Sequence, residues 1–591
     1  MKTLRLVQLK TIPEDEDLRR QWDALVARVD RPQVFYTYEW ALAVERAYGA
    51  SLLPLVFLAY DESESLCGVA ALATDSAANN VSFLCASTGD YCDFVSSPER
   101  RPAFVHAVIR ELKRQGLTRM ALANLPADSA TLAAVREATR QHEWFCFARG
   151  AYVCAQVCFD KLERHKNGKP VAPGLKRIRR FVNAMRSRSP VHFDHSRSWD
   201  AVDPVLPQFI EAHVARFLEI GRISNLAHPR RREFLAELAK LLAGRQWFVL
   251  SRMMAGDRVV AWHYGFQFHD AWFWYQPTFD SSVERFWPGF CLLSQVIQDA
   301  IENPALKMLD LGLGSEAYKA KFANESRQTL HVSVHRSVLA HGATVLRYQA
   351  ARAARAIPAI ERLALAGRQK VRTLRGHLQE QGAWLTLIWL ARHLLRLLWA
   401  RDEVFFYEWA EEESFTALRD VRLHPLDLHQ LARAAMEYAE DEDTAAYLLR
   451  SAQRLRAGDC EGFALTDNAG RPVHFAWTAP FDGFFCAELN DRLRASPDSV
   501  LIFDCWTAGV ARERGYYAQT VTLVAKQILK QGRMPWIFCV ASNARSVRGL
   551  EKSGFRHRYS LVRQRLLGWQ RIKGQVPSFS QAPRSEVSAG V

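Results

Sequence analysis

The sequence lacks the closely spaced ligand pairs that a structural metal site requires. Its 11 cysteines are scattered, and no Cys-x-x-Cys pair occurs among them. We find no short-spaced set of Cys or His that would bind zinc. An odd number of cysteines in a chain of 591 residues favours reduced thiols over a disulfide framework. We therefore expect no metal, and thiols that mostly fill the core.

A long apolar run is also lacking. The first residues, MKTLRLVQLKTIPEDEDLRR, contain no apolar region of the kind found in secretory signals. The most apolar segment, residues 384–400, is interrupted by Arg392, His393 and Arg396 and is slightly short for a spanning helix. These absences predict a cytoplasmic protein. Peripheral contact of a basic helix within residues 341–400 with an anionic inner membrane is an alternative to a bracket between domains.

The charge is unbalanced. Hydrophobic content of 49% with 24% charged residues is typical of a soluble globular protein, but the formal net charge is +15. Such an excess favours a polyanionic partner: a phosphate-rich cofactor, RNA or an anionic membrane. The basic run between Lys161 and Arg188 would suit tRNA or a lipid-linked phosphate, although a solvated helix face explains it as well.

Length and patterning predict several folding units with an α+β (mixed α/β) architecture. In the first block, LLPLVFLAY and LCGVAALAT flank a turn and predict a hairpin. In the second block, Gly256-Asp257 and His269-Asp270 divide a strand-rich stretch into a meander. We expect the units at 1–160, 161–340, a basic helical linker at 341–402, 403–572, and a disordered tail at 573–591.

The most informative stretch lies near the C-terminus. A strand-like run is followed by RERGYYAQ, an amphipathic helix, the strand-like WIFCVA, and then SNARSVRGLEKSGF. A turn that feeds a helix N-terminus leaves several backbone N–H groups unpaired, and these groups bind a pyrophosphate. Gly515 lets the backbone approach closely, Asn543 or Ser542 caps the second helix, and Gly554 ends it. An ordinary strand–helix–strand crossover would use the same signals.

These two segments resemble motifs A and B of the GNAT acyl-CoA-dependent N-acyltransferases, over about residues 403–570. Asn543, Glu551, Lys552, Gly554 and Phe555 match the second motif, whereas Leu550 stands where a catalytic tyrosine is common. In the first motif, a tyrosine holds the last small position. The resemblance implies that the donor is held by Arg512, Gly515, Tyr516, Tyr517, Ala518 and Asn543.

The first two blocks resemble another branch of the same superfamily. FYTYEWALAVERAYG, TGDYCDFV, RIRRFVNAMR, FWPGF and LDLGLGSEAYKAKFA occur in the order found in the Fem-like acetyltransferase domain of cellulose and exopolysaccharide loci. The resemblance implies two GNAT-like halves that share one site. It places the donor phosphates at FWPGF, on Gly289 and Phe290, where free N–H groups beyond Pro288 suit that role. A tight loop opening a core helix is the alternative.

Acylation of an amine needs a base, a polarised carbonyl and alignment of the two reactants. Asp310 is the base candidate in the second block, with Asp280 and His263 as alternatives, and Glu488 or Asp504 in the third. Tyr275 or Tyr318 could act as the acid. Lys319, Lys321 and Asp280 could hold the substrate. Each also has an ordinary structural explanation: loop capping for Asp310, core packing for His263 and Tyr275, and solvation for Lys319.

The sequence thus predicts tandem GNAT-like modules that transfer an acyl group, most simply acetyl, from acetyl-CoA to an amine of a cell-envelope or exopolysaccharide precursor. Two alternatives stay open. One is Fem-type aminoacyl transfer from aminoacyl-tRNA. The other is a non-catalytic module of an exopolysaccharide assembly.

Overall fold

The computed structural model describes residues 4–75, 80–164, 168, 170–355, 399–410, 420–566 and 569–575. The chain divides into two compact units. Unit 1 comprises Met1–Arg216 and His228–Ala356, and unit 2 comprises Phe217–Ala227 and Ile357–Val591. The predicted linker and tail fall largely on residues 356–398 and 576–591, which lie outside the described residues, as do Lys166 and Lys169 of the basic run.

Unit 1 is built on one mixed sheet. Within the described residues this sheet has 13 strands in the order β1-β2-β3-β4-β6-β13-β7-β12-β11-β10-β9-β8, with β5 paired to β3. Its strands are β1 Arg5–Leu9, β2 Leu53–Tyr60, β3 Leu66–Asp75, β4 Asn80–Phe83, β5 Val95–Ser96, β6 Arg119–Pro126, β7 Phe145–Cys158, β8 Val191–Ser196, β9 Phe248–Ala255, β10 Arg258–Phe268, β11 Ala271–Phe279, β12 Met308–Leu313 and β13 Glu325–His335.

Helices flank this sheet and are amphipathic. Their bounds are α1 Glu16–Val26, α2 Tyr38–Tyr48, α3 Arg101–Arg114, α4 Thr131–Gln141, α5 Leu175–Arg186, α6 Trp199–Val202, α7 Leu206–Glu219, α8 Pro229–Ala243, α9 Pro288–Glu302 and α10 Val338–Arg355. The predicted hairpin is confirmed by the antiparallel pair β2–β3, and the predicted meander by β9–β10–β11. The turn residues at 256–257 and 269–270 separate these strands as the sequence indicates.

Two parallel strand pairs divide the sheet of unit 1 into two halves. β4 pairs with β6 across the crossover that contains α3, and β11 pairs with β12 across α9. The halves then exchange strands: β13, from the second half, pairs with β6, whereas β7, from the first half, pairs with β12. Because of this exchange the first two predicted blocks share one continuous sheet.

The core of unit 1 around α9 explains why that helix is fixed in place. Leu292, Val296 and Ile297 on α9 are fully buried and belong to the same apolar cluster as Trp272 and Trp274 of β11. Each such side chain contributes roughly 1.5–3 kcal/mol by leaving water. The packing therefore sets where the first turn of α9 begins relative to the end of β11.

Within the described residues, unit 2 is also built on a mixed sheet, and this sheet contains one parallel strand pair. Its main sheet, counted over the described residues, has eight strands in the order β15-β16-β17-β20-β21-β14-β22-β23, and β18 and β19 form a separate hairpin. The strands are β14 Trp399–Trp409, β15 Arg422–Pro425, β16 Glu461–Thr466, β17 Pro472–Pro480, β18 Asp482–Cys486, β19 Asp491–Arg494, β20 Ser499–Thr507, β21 Met534–Val540, β22 Phe555–Leu566 and β23 Trp569–Lys573. The helices are α11 Leu428–Glu437, α12 Glu442–Ala457, α13 Tyr516–Lys530 and α14 Ala544–Glu551.

The fold is therefore mixed α/β, with large mixed sheets flanked by helices, as predicted. In the part of the chain that the structure describes, no helix combines the length and apolar character needed to cross a bilayer.

Candidate functional site

The parallel ladder between β11 and β12 is short, and the two strands separate beyond it. The ladder joins Ala271–Phe273 to Met308–Asp310, after which β11 continues to Phe279 and β12 to Leu313. Strands that part in this way leave a gap in the sheet that only side chains or a ligand can fill. Asp310 lies where the ladder ends, so the predicted base stands at the opening of this gap.

Three donors hold the buried Asp310 carboxylate. Oδ2 accepts hydrogen bonds from the Tyr91 hydroxyl at 2.7 Å and from Gln156 Nε2 at 2.7 Å. Oδ1 accepts one from the Gly312 amide at 2.8 Å. These contacts connect the first half of unit 1 to the second. They favour an anchoring role for Asp310, the structural alternative that the sequence left open.

A second carboxylate, that of Asp90, lies beside Gly312 and was not among the predicted site residues. Gly312 has a φ of +70°, and a Cβ built on it would lie 2.5 Å from Asp90 Oδ2. Burial and the negative charge of Asp310 raise the pKa of Asp90 from 3.8 to about 7, although the Lys319 cation acts in the opposite direction. A carboxyl group with a pKa near neutrality can both take and return a proton at physiological pH.

Asp90 lies in a segment that the sequence analysis quoted, but the residues around it in the chain do not identify it as a site residue. The segment TGDYCDFV contributes to the family resemblance, yet nothing in its spacing indicates that Asp90 is desolvated. That property arises only because the segment packs against a loop more than two hundred residues away in the chain.

Tyr275 and Arg231 hold the loop that carries Asp90. The Tyr275 hydroxyl donates to the Thr88 carbonyl oxygen. Arg231 donates to the Tyr275 hydroxyl at 2.8 Å and to the Ser87 carbonyl oxygen at 3.3 Å. Burial raises the pKa of Tyr275 to about 12, so the phenol is neutral at physiological pH. These contacts support a positioning role for Tyr275.

Lys319 is buried beside the end of β12, at Gly312 and Leu313. Its Nζ donates to the Leu313 carbonyl oxygen at 2.6 Å and lies 2.9 Å from a Glu316 carboxylate oxygen. The sequence predicted a substrate contact for this lysine. The structure brings Lys319 together with Asp310 and Tyr275 around Asp90, and its cation lowers the pKa of Asp90 relative to burial alone.

Asp280 lies apart from this cluster. Its carboxylate accepts a hydrogen bond from the Ser282 amide at 2.9 Å, which caps a short 3₁₀ turn, and pairs with Arg258. His263, another alternative, is fully buried and stacks on Trp274 with ring centroids 4.1 Å apart. Burial lowers the pKa of His263 to about 3.

The start of α9 has the features expected of an anion site. Trp287 adopts a left-handed conformation and Pro288 opens the helix. Among the described residues no acceptor is found for the amides of Gly289 and Phe290, and the first paired amide is that of Cys291. The Lys321 ammonium lies 5.3 Å from both the Trp287 and the Phe290 ring centroids, and the Arg177 guanidinium lies 5.4 Å from Trp287. Two cations therefore accompany two free amides.

In unit 2 the start of α13 is similar. Gly515 has a φ of +82°, and within the described residues the amides of Tyr516, Tyr517 and Ala518 have no acceptor. A solvent-open depression of about 340 Å³ lies beside this turn. It is lined by Asp420, Val421, Asp467, Asn468, Ala469, Arg471, Arg514 and Tyr516. Arg512 is exposed, one turn before the helix.

The strands of unit 2 also part, but a tyrosine lies where they separate. The ladder of β20 with β21 ends at Ile502 and Ile537. Tyr517 packs against Gly549 of α14 so closely that a Cβ there would lie 2.6 Å from its Cδ1. Burial raises the pKa of Tyr517, and the thiols of Cys505 and Cys539, one on each parted strand, raise it further.

The other residues predicted for unit 2 do not all meet at this turn. Asn543 caps α14, accepting a hydrogen bond from the Ser546 amide at 3.2 Å. Glu488 lies in the β18–β19 hairpin, where it accepts a weak hydrogen bond from Cys486 Sγ at 3.4 Å. The hydrogen bonds of Glu488 among the described residues lie within the hairpin and with Arg563 of β22. The described residues do not contain a group of three or more His, Cys, Asp or Glu placed to bind a metal ion.

A comparison with known protein families finds one match, and it covers part of unit 1. The profile of the acetyltransferase (GNAT) domain family matches residues 174–320, which include α9, Asp310 and Lys319. No curated protein matches the chain.

Three solved structures resemble part of this chain at low sequence identity. They are L-PGS from Bacillus licheniformis (9% identity, 56% of this chain and 96% of that one, TM-score 0.36), a tandem GNAT protein from the clavulanic acid biosynthesis pathway (10%, 56% and 98%, 0.34) and FemX (10%, 53% and 95%, 0.38). TM-scores below 0.5 are too low to carry any conclusion about activity. On the family match, residues 174–320 of this chain form an acetyltransferase (GNAT) domain.

Proposed function

We propose that the chain transfers an acyl group, most simply acetyl, from a coenzyme A thioester to an amine, and that unit 1 performs the chemistry. The observation that carries this proposal is the position of the Asp90 carboxyl group against Gly312, where β11 and β12 part and where burial and Asp310 raise its pKa to about 7. A base of this pKa accepts a proton from an attacking amine at neutral pH without being permanently protonated.

The donor would be held at the start of α9. The free amides of Gly289 and Phe290 suit a pyrophosphate, and Lys321 and Arg177 supply compensating charge. The thioester supplies the acyl group. Asp90 would take the proton that the amine loses as its N–C bond forms, and the departing thiolate would leave with a proton from Asp90 or water as the C–S bond breaks. Asp310, Lys319 and Tyr275 would keep Asp90 and its loop in position.

The start of α13 in unit 2 is the other proposed donor site. Its free amides favour it, but Tyr517 lies between the parted strands, where the arm of a thioester carrier would need to enter. We therefore assign catalysis to unit 1. A cell-envelope or exopolysaccharide-precursor amine is the acceptor suggested by the sequence resemblance of residues 20–335.

One observation favours the Fem-type alternative, in which aminoacyl-tRNA is the donor. Helix α5 exposes Lys176, Arg177, Arg179 and Arg180 on one surface. Such a surface would bind RNA with strong salt dependence.

Calorimetric titration of the full chain with acetyl-CoA tests the proposal. Gly289→Asp places a carboxylate against the donor phosphates and should weaken binding about 100-fold or more, because an unpaired charge is forced against an anion. Gly289→Ala is the matched steric control, since its Cβ would also lie 3.1 Å from Phe279. Gly515→Asp should leave the affinity unchanged.

Three outcomes contradict the proposal in different ways. Loss of binding in Gly515→Asp alone would move the donor site to unit 2. Salt-sensitive tRNA binding without acetyl-CoA binding would favour aminoacyl transfer. No binding of either donor would leave only the non-catalytic assembly role.

A further inference from the structure

Three strand ends in unit 2 bring large apolar side chains together in solvent. The strand register places Trp399 of β14 opposite Leu566 of β22, and Leu566 opposite Trp569 of β23. We call these three residues the Trp rung. Their exposed fractions are 64%, 59% and 85% respectively. Single exposed apolar residues are ordinary on protein surfaces, but two adjacent tryptophans and a leucine are not.

The opposite face of the same strands packs into the core of unit 2. Val404 and Leu561 point to that face and belong to one buried apolar cluster, and the partly buried Ile572 packs against it. Side chains alternate between faces along a strand, and residues directly opposite in antiparallel strands share a face. The Trp rung is therefore on the side that this cluster does not use, and its exposure does not result from a misplaced core residue.

Cations lie directly behind the Trp rung on the same face. Two residues inward along each strand, Arg401, Gln564 and Arg571 form the next rung, followed by Glu403, Val562 and Lys573. Arg401, Arg571 and Lys573 are exposed. From the strand ends inward, the first rung of side chains is thus apolar and aromatic, and the rungs behind it carry the cations. The wide amphipathic surface of tryptophan and the long stems of arginine and lysine suit an apolar–polar boundary.

This order matches the water interface of an anionic membrane. Trp side chains partition to the headgroup level, and nearby Arg and Lys side chains gain from the negative surface potential. Nucleic acid fits less well, because leucine offers no face on which a base can stack and the aromatic pair is at a strand tip and not along a basic groove. We infer that the Trp rung inserts into the headgroup region of an anionic lipid surface and that Arg401, Arg571 and Lys573 bind its phosphates.

This inference is independent of the proposed acyl transfer and is tested without a substrate. The full chain is mixed with vesicles of phosphatidylglycerol and phosphatidylcholine, or of phosphatidylcholine alone, and the bound fraction is measured by flotation. Wild type should bind only the anionic vesicles. The double variant Trp399→Ser/Trp569→Ser should lower the partition constant by about tenfold or more, since it removes two large apolar groups.

A second variant separates charge from apolar insertion. Arg401→Gln/Arg571→Gln should lower binding about tenfold at low salt and remove part of its salt dependence. Phe485→Ser is the matched control, because Phe485 is an exposed aromatic residue in the separate β18–β19 hairpin of the same unit. It should bind vesicles as wild type does, and circular dichroism should give the same spectrum for all four proteins.

Several results would overturn the inference. Equal flotation of wild type and the Trp double variant would place membrane binding elsewhere in the chain. Binding to RNA without binding to vesicles would assign the cations to nucleic acid. A wild-type dimer that the Trp double variant converts to a monomer, with no vesicle binding, would make the Trp rung an interface between copies. An unfolding midpoint lowered by the double variant, again without vesicle binding, would mean that the chain itself covers the rung.

Discussion

Replacing Asp90 by asparagine removes the ionisable group that the proposed mechanism requires, while keeping its shape and its acceptor atom. Burial and the nearby Asp310 raise the pKa of Asp90 from 3.8 to about 7 in the folded chain. The folded state therefore binds a proton more tightly than the unfolded state does. Between about pH 4 and pH 7 the free energy of unfolding falls as pH rises. Above pH 7 the ionised Asp90 carboxylate destabilises the folded state by the full amount.

The magnitude follows from the size of the shift. About three pKa units at 1.36 kcal/mol each correspond to about 4 kcal/mol. Asp90→Asn carries none of this cost. The difference in unfolding free energy between variant and wild type should therefore move by about 4 kcal/mol in favour of the variant from pH 4 to pH 8. Urea unfolding of both full chains at these two pH values, followed by tryptophan fluorescence, measures it.

The same substitution separates stability from chemistry. With acetyl-CoA and a panel of amino sugars, the wild-type rate should rise with pH through an inflection near 7. The Asn variant should lose this inflection and be slower by about 10²–10⁴-fold, as expected when a general base is removed. Asp270→Asn, which removes an exposed turn carboxylate 3.6 Å from the Lys307 ammonium, is the control and should change neither profile. If Asp90→Asn kept both the rate and the inflection, Asp90 would not be the base.

Two further predictions follow from close contacts of glycines. Gly312→Ala would place a methyl group 2.5 Å from Asp90 Oδ2 at a φ of +70°, so it should cost about 1–3 kcal/mol of stability and displace the pH–rate inflection; an unchanged profile would contradict the proposed contact. Gly549→Ala would clash with the Tyr517 ring at 2.6 Å and should destabilise the chain by about 1–3 kcal/mol, a cost that Tyr517→Ala relieves in a double-mutant cycle. Additive costs would mean that the tyrosine does not lie against Gly549.

Local signals in the sequence were enough to predict several parts of the fold. Alternating strands around Gly256 and His269 predicted the meander, and the Asn543 cap with its downstream glycine predicted α14. The FWPGF segment and the glycine turn at Gly515 located the two helix starts with free amides. Turn residues, caps and periodicities act over a few positions, so they can be read without knowing what the segment packs against.

Which residues meet, and how their surroundings change their properties, depends on packing between segments that are distant in the chain. Asp90 and Asp310 come together because the two halves of unit 1 exchange strands, and the pKa of Asp90 rises because that packing removes water. The position of Tyr517 between parted strands and the alignment of the Trp rung depend on packing and register in the same way. Desolvation and interstrand register are properties of contacts between distant segments, and no local pattern of residue types specifies them.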